Sequence, residues 1–133
     1  MKHLTLYLIR GLPGSGKSTF AYELAKSLDI YSFEADMSFY DDFGKYNFDP
    51  SRLHLAHKWC QERVENTLFH GMSVVVSDTS TTEKEVTAYH DIAKRYGAKF
   101  VSMIVENRHG NVSIHDVPEA SIDKMRQRFS IKL

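Results

Sequence analysis

The sequence has a single cysteine, Cys60, so no intramolecular disulfide can form and a reducing, cytoplasmic setting is expected. Neither sign of charge is in excess. Lys and Arg together number 17, as do Asp and Glu, which argues against a protein that grips polyanions through net charge. No apolar run approaches the roughly 18 residues needed to cross a bilayer. The apolar stretch near the N-terminus is short and runs straight into a glycine-rich segment, so it reads as a strand and not as a cleaved signal. Internal repeats, low-complexity tracts and Pro/Gly/Ser-rich linkers are absent. A chain of 133 residues with no linker is expected to form one domain over 1–133. At that size about two-thirds of the unfolded chain's surface can be buried.

What the sequence does contain is an alternation of strand and helix patterns. "LTLYLI" (4–9) is nearly all apolar, as expected of a strand covered on both faces. Residues 17–28 place Ala21, Leu24, Ala25 and Leu28 at helical spacing, and "IYSFE" (30–34) reads as a second strand. A long helix is expected over 49–71, with Asp49 as cap, Pro50 in the first turn and Gly71 at the end. Leu53, Ala56, His57, Cys60, Val64 and Leu68 form its inner stripe. "MSVVVSD" (72–78) and "KFVSMIV" (99–105) read as the third and fourth strands. Between them Thr82 and Glu85 resemble a capping box for a helix ending near Gly97, and Pro118 opens a final helix. Repeated β-α units predict an α/β fold: a doubly wound parallel sheet with helices on both faces. In such folds ligands bind beyond the carboxyl ends of the strands. Gly11 to Ser18, Asp36, Asp78 and Arg108 all fall at or just past such an end and are expected to converge.

Gly11-Leu12-Pro13-Gly14-Ser15-Gly16-Lys17-Ser18-Thr19 contains the full phosphate-loop pattern, Gly-x-x-x-x-Gly-Lys-Ser, in a strand-loop-helix context. Glycines let the backbone curl until several N–H groups point at one anion, and the following helix adds the positive end of its dipole. Lys17 can reach the β- and γ-phosphates of ATP, and the Ser18 hydroxyl can ligate Mg²⁺. Asp78, at the end of "VVVSD", is placed where a carboxylate can hold magnesium, or alternatively cap a turn. Asp36, in "FEADMSF", is either a general base for an attacking hydroxyl or one more acid in an acidic loop. Residues 39–48 hold Phe39, Tyr40, Phe43, Tyr46 and Phe48, which either stack unpaired bases or fold back over the sheet edge; the second is preferred. His54, His57 and Cys60 share a helix, but a zinc site needs a more compact set, so they are taken as core and surface residues.

"LIRGLPGSGKST", "EADMSF" and "YNFDPSRLHLAHKWCQERVENTLFHGMSVVVSDTS" together resemble the 5′-kinase branch of the P-loop phosphotransferases, which includes phage-type polynucleotide kinases. The resemblance covers roughly the first 105 residues, and "VPEASIDKMRQRF" is similar to the group's closing helix. It implies a P-loop NTPase fold with strand order 2-3-1-4. It also implies that Lys17 and Ser18 serve ATP and Mg²⁺, that Asp36 is the base, and that Asp78 and Thr79 sit beside the reacting phosphates. The chain departs from the pattern in three places. Phe39 stands where phage-type enzymes carry an Arg, the turn after strand three reads Asp78-Thr79-Ser80, and the arginine-bearing lid is shortened to about 106–117, leaving Arg108 as its one Arg. The expected activity is transfer of the ATP γ-phosphate to a hydroxyl, most plausibly the 5′-OH of a nucleic acid or nucleoside. The alternatives are an ATP-binding regulatory module without turnover and a simple NTPase.

Overall fold

The structure, a computed structural model, describes residues 3–78 and 83–106. The expected capping box at Thr82, the lid segment with Arg108, and the final helix from Pro118 lie outside the described residues. Four strands, β1 (Thr5–Arg10), β2 (Tyr31–Glu34), β3 (Val74–Asp78) and β4 (Lys99–Ile104), alternate with three helices, α1 (Lys17–Leu28), α2 (Leu53–Phe69) and α3 (Glu83–Arg95). All strand pairs are parallel and the order is β2-β3-β1-β4, as the sequence predicts. The strand that ends in Asp78 therefore lies beside the strand that feeds the phosphate loop.

Strand alternation sorts the core into two layers. Leu6 and Leu8 of β1, with Val74 and Val76 of β3, pack against Ala56, Cys60 and Val64 of α2 and Tyr89 and Ile92 of α3. Ile9 and Val75 point the other way and pack against Ala21 and Ala25 of α1. Val74, Val75 and Val76 are each fully buried, which explains why β3 reads as a continuous apolar run instead of an alternating one. The same parity continues to the strand ends. Arg10 and Asp78 leave the sheet on the α2–α3 face, while Ser77 leaves it on the α1 face.

The second helix starts later than its sequence suggests. Asp49 does cap the segment, its carboxylate accepting from the Ser51 N–H at 3.0 Å and the Ser51 hydroxyl at 2.7 Å. However, Pro50–Arg52 form a 3₁₀ turn, and regular α-helix begins only at Leu53. Tight turns of this kind are common where a helix N-terminus is drawn in by its cap. At the far end Gly71, with φ of 78°, closes the helix as expected. An ion pair between Arg95 and Glu65 joins α3 to α2 at the surface.

Cys60 has no exposed surface, and burial pushes its thiol up to about 12. Its neighbour is the buried hydroxyl of Tyr89, which has no nitrogen or oxygen partner. Because the thiolate is the reactive form, a native Cys60 is inert. A thiol reagent at pH 8 is expected to label the protein only as fast as it unfolds. Labelling rates followed across a urea titration check this, and rapid labelling of the native protein would contradict the packing of α2 on the sheet.

Candidate functional site

The phosphate loop is tied to the sheet at its entry. Val105, just past β4, donates its N–H to the Arg10 carbonyl at 2.8 Å, and within the loop the Ser15 N–H donates to the Leu12 carbonyl at 3.0 Å. Gly16 immediately precedes α1 with φ of 94°, a left-handed conformation that a side chain would strain. Gly11 is required for a different reason. A Cβ there would lie 2.4 Å from Ser15 Oγ and 2.9 Å from the Val105 carbonyl oxygen, so only glycine lets the loop pass between them. The first turn of α1 has no side-chain cap and no acidic residue of its own, so no side chain of the helix satisfies its N–H groups. That is the electrostatic setting of an anion site.

Three carboxylates gather at the same edge of the sheet, each with its own donor. Ser18, in the first turn of α1, donates its hydroxyl to Glu34 Oε2 at 2.8 Å. Tyr46 donates its hydroxyl to Asp36 Oδ1 at 3.2 Å. Burial raises the Tyr46 pKa well above its ordinary value, and the negative charge of Asp36 and the hydrogen bond to it act in the same direction. Tyr46 therefore stays protonated as a donor. Asp78 Oδ2 lies 3.4 Å from His57 Nδ1. The hydrogen bond to Asp78 raises the His57 pKa, partial burial opposes the shift, and Glu85 and Asp36 add to it.

Arg10 is fully buried at the end of β1. Burial lowers its pKa and the charge of Glu85 counters that effect. Its backbone is level with Asp78 on one side and Ile104 on the other. A buried guanidinium needs carboxylate company to offset its desolvation, and the charge of Glu85 supplies it. Two hydroxyls near the loop are buried without a hydrogen-bond partner, Ser15 Oγ and Ser77 Oγ. A cleft of about 520 Å³, lined by residues including Leu4, Ile30, Tyr31 and Met72, opens at the opposite, N-terminal edge of the strands, away from all of these groups.

The residues expected from the sequence, Gly11 to Thr19, Asp36 and Asp78, thus lie along one edge of the sheet, and Arg108 lies outside the described residues. Their partners Glu34, Tyr46, His57 and Arg10 were not anticipated in those roles. His57 does sit in the inner stripe of α2 as expected, yet it serves there as the partner of Asp78 and not simply as core. Ionisable groups set against a sheet need partners, which was the available signal for both His57 and Arg10. The aromatic segment folds back over the sheet edge only in part. Phe39 is buried and Tyr46 packs on the core, whereas Phe43 stands 95% exposed and Tyr40 and Phe48 remain about half exposed.

The family model described as AAA domain matches residues 6–131 of the chain. The chain belongs to this AAA domain family. Human NEDD4-binding protein 2 is 30% identical over 97 residues, which are 72% of this chain but 6% of that protein. Among solved structures, one from the Pnkp1/Rnl/Hen1 RNA repair complex superposes with a TM-score of 0.61 at 21% identity, covering 96% of this chain and 37% of that one. The Mycobacterium tuberculosis APS kinase CysC, in complex with AMPPNP and APS, superposes with a TM-score of 0.62 at 16% identity, covering 93% of this chain and 69% of that one. At these identities the structures show the fold alone, and that fold is shared with P-loop kinases. This AAA domain is thus a P-loop kinase-like domain that spans a small part of the curated relative it matches.

The His57–Asp78 pair makes stability depend on pH with a definite sign. His57 has a raised pKa when folded, so its contribution is fully present below its unfolded value of about 6.5 and is lost as pH rises through the folded value. His57→Gln is therefore expected to lower the urea midpoint at pH 6 more than at pH 9. Equal losses at the two pH values would mean that the pair does not stabilise the fold through its charge.

Proposed function

We propose that the domain is an Mg-ATP-dependent kinase that transfers the γ-phosphate to a hydroxyl, most plausibly the 5′-OH of a nucleic acid or nucleoside. The observation that carries this reading is the placement of Asp36. It follows β2 directly, at the same sheet edge as the phosphate loop, with its carboxylate oriented by Tyr46. Nucleotide binding alone would not need an oriented carboxylate there, whereas an attacking hydroxyl needs a group to take its proton. The kinase fold of the neighbours and the RNA repair complex among them support the reading.

In this reading the loop N–H groups and Lys17 bind the phosphates of ATP and fix the γ-phosphoryl group in line with the acceptor. Asp36 accepts the proton as the acceptor oxygen forms its bond to phosphorus and the bond to the bridging oxygen of ADP breaks. The products are ADP and a phosphomonoester. Arg108 supplies positive charge to the transferring group, as its place in the lid resemblance implies. Magnesium, when bound with the nucleotide, neutralises phosphate charge. It is a hard cation that takes oxygen ligands, and the Ser18 hydroxyl beside a carboxylate fits that demand. Among the described residues no three His, Cys, Asp or Glu side chains gather as a metal site by themselves, so an ion held here would take its remaining oxygens from phosphate and water. Asp41 and Asp42, at the tip of the aromatic segment, disfavour a long phosphate backbone there and favour a chain end or a nucleoside.

Two substitutions test the assignment. Lys17→Ala is expected to weaken ATP binding by about 10–100-fold, the worth of one charged hydrogen bond, while leaving the melting temperature unchanged. Calorimetric titration of ATP together with a melting curve checks this, and unchanged affinity would sink the nucleotide site. Asp36→Asn is expected to keep ATP affinity and lose transfer by roughly 10²–10⁴-fold. The assay is γ-labelled ATP against 5′-OH DNA, 5′-OH RNA and nucleosides. Labelled product identifies the acceptor class. Release of free phosphate alone, or transfer by the variant at the parent rate, would remove Asp36 from the role of base.

A further inference from the structure

Sequence position puts Asp78 in the carboxylate place beside magnesium, yet Ser18 turns its hydroxyl to a different carboxylate, that of Glu34, at 2.8 Å. Strand parity separates the two acids. Glu34 is level with Ser77 across the β2–β3 pair, and Phe33 with Val76. Phe33 and Val76 belong to the α2–α3 layer, so Glu34 and Ser77 leave the sheet on the opposite face, towards α1 and the phosphate loop. Asp78 leaves on the α2–α3 face, where it meets His57.

A second, independent observation marks the Glu34 side as a ligand position. Ser77 is only 2% exposed, and its hydroxyl has no hydrogen-bond partner. A buried polar group without a partner is costly and rare in a native fold, unless a ligand or its water completes it. This orphan hydroxyl lies between β1 and β2 beside Glu34, on the face where Ser18 reaches Glu34. Ser18, Glu34 and Ser77 are thus three oxygen donors from three elements, α1, β2 and β3. Magnesium commonly keeps several waters and is bound through one or two carboxylates together with nucleotide phosphates.

We propose that Glu34, and not Asp78, is the carboxylate that joins Ser18 in holding the magnesium of a bound nucleotide, with the Ser77 hydroxyl bonded to a water of that ion. The inference rests on the nucleotide-binding reading above. Asp78, engaged by His57 and close to buried Arg10, serves the α2–α3 side of the edge.

The experiment reads binding, not turnover. ADP is titrated into the parent, Glu34→Gln and Asp78→Asn, each in excess Mg²⁺ and again in EDTA, so that the metal-dependent gain in affinity is measured for each. Gln retains an acceptor for Ser18 and removes only the charge. The expected result is that the gain falls by about 10–100-fold in Glu34→Gln, the usual cost of disturbing a metal's supporting ligands, with metal-free affinity not weakened. Asp78→Asn is expected to lose less. The electron paramagnetic resonance signal of Mn²⁺, used in place of Mg²⁺ with ADP, should report the same order. Melting curves establish that each variant is folded, and Glu34→Ala provides the same comparison if Glu34→Gln is unstable. A parental gain in Glu34→Gln, or a larger loss in Asp78→Asn, overturns the inference while leaving nucleotide binding intact. A parent that binds ADP neither with metal nor without it overturns the nucleotide reading, and this inference with it.

Discussion

The site depends on one constraint, the register of β1 with its two parallel neighbours at their carboxyl ends. Arg10 is level with both Asp78 and Ile104, and Ile9 is level with Ser77, which in turn is level with Glu34 of β2. The phosphate loop begins at that point, and its entry is fixed by the bond from Val105 to the Arg10 carbonyl. A slip of one residue between β1 and β3 would exchange the faces of Ser77 and Asp78. It would send Val74 and Val76 to the α1 face and Val75 to the α2–α3 face, and bring a second carboxylate up against the loop. What opposes the slip is packing and pairing, since two valines would face Ala21 and Ala25 of α1 where one now packs, and Asp78 would leave His57. The core therefore sets which acids face the nucleotide side and which face α2.

Features written in local spacing are legible in the residues themselves. The phosphate loop is encoded by glycines at fixed offsets, and its glycines are needed for the reasons visible in the fold, a positive φ at Gly16 and a close approach at Gly11. The strands and their parallel arrangement follow from apolar runs separated by helical patterns, whereas the order β2-β3-β1-β4 is what the family resemblance implies. The partners of the site residues were not legible, because they arise where elements distant in sequence approach. Ser18 and Glu34 are 16 residues apart, and His57 meets Asp78 from a different element. Parity along β2 could have been read from Phe33 as a core residue, but only once its packing side was known. The 3₁₀ start of α2 escaped for a similar reason. Asp49 and Pro50 announce a helix, but they do not say whether the first turn is tight.

The aromatic segment shows how turn chemistry sorts residues that composition alone treats as equal. Asp41 accepts from the Phe43 and Lys45 N–H groups at 2.9 Å each, Gly44 takes a φ of 79°, and Tyr40 bridges to Tyr46. This hairpin-like turn carries Phe43 out to its tip and turns Phe39 and Tyr46 inward, edge to face with each other. The Asn47 N–H donates to the Phe39 carbonyl at 2.8 Å and closes the segment. Tyr46 is therefore fixed from two sides, by ring packing and by its bond to Asp36. The orientation of Asp36 depends on a residue ten positions later, through a turn whose own chemistry is ordinary.

Placing acids beside a phosphate site looks self-defeating, and the arrangement makes sense only as two adjoining fields. On the loop side, free N–H groups and Lys17 attract a polyphosphate. On the strand side, Glu34 and Asp36 repel it, and at separations of a few ångströms in a partly buried site such repulsion reaches several kcal/mol. Each field is relieved only in part, since Glu34 takes one hydroxyl at the loop's end, that of Ser18, and Asp36 is held by Tyr46. A divalent cation between the phosphates and the carboxylates satisfies both at once. An acceptor hydroxyl has no charge to be repelled and can approach Asp36 where an anionic backbone cannot. In the proposed kinase reading, the same electrostatics favour a metal-bound nucleotide on one side of the edge and a neutral acceptor group on the other.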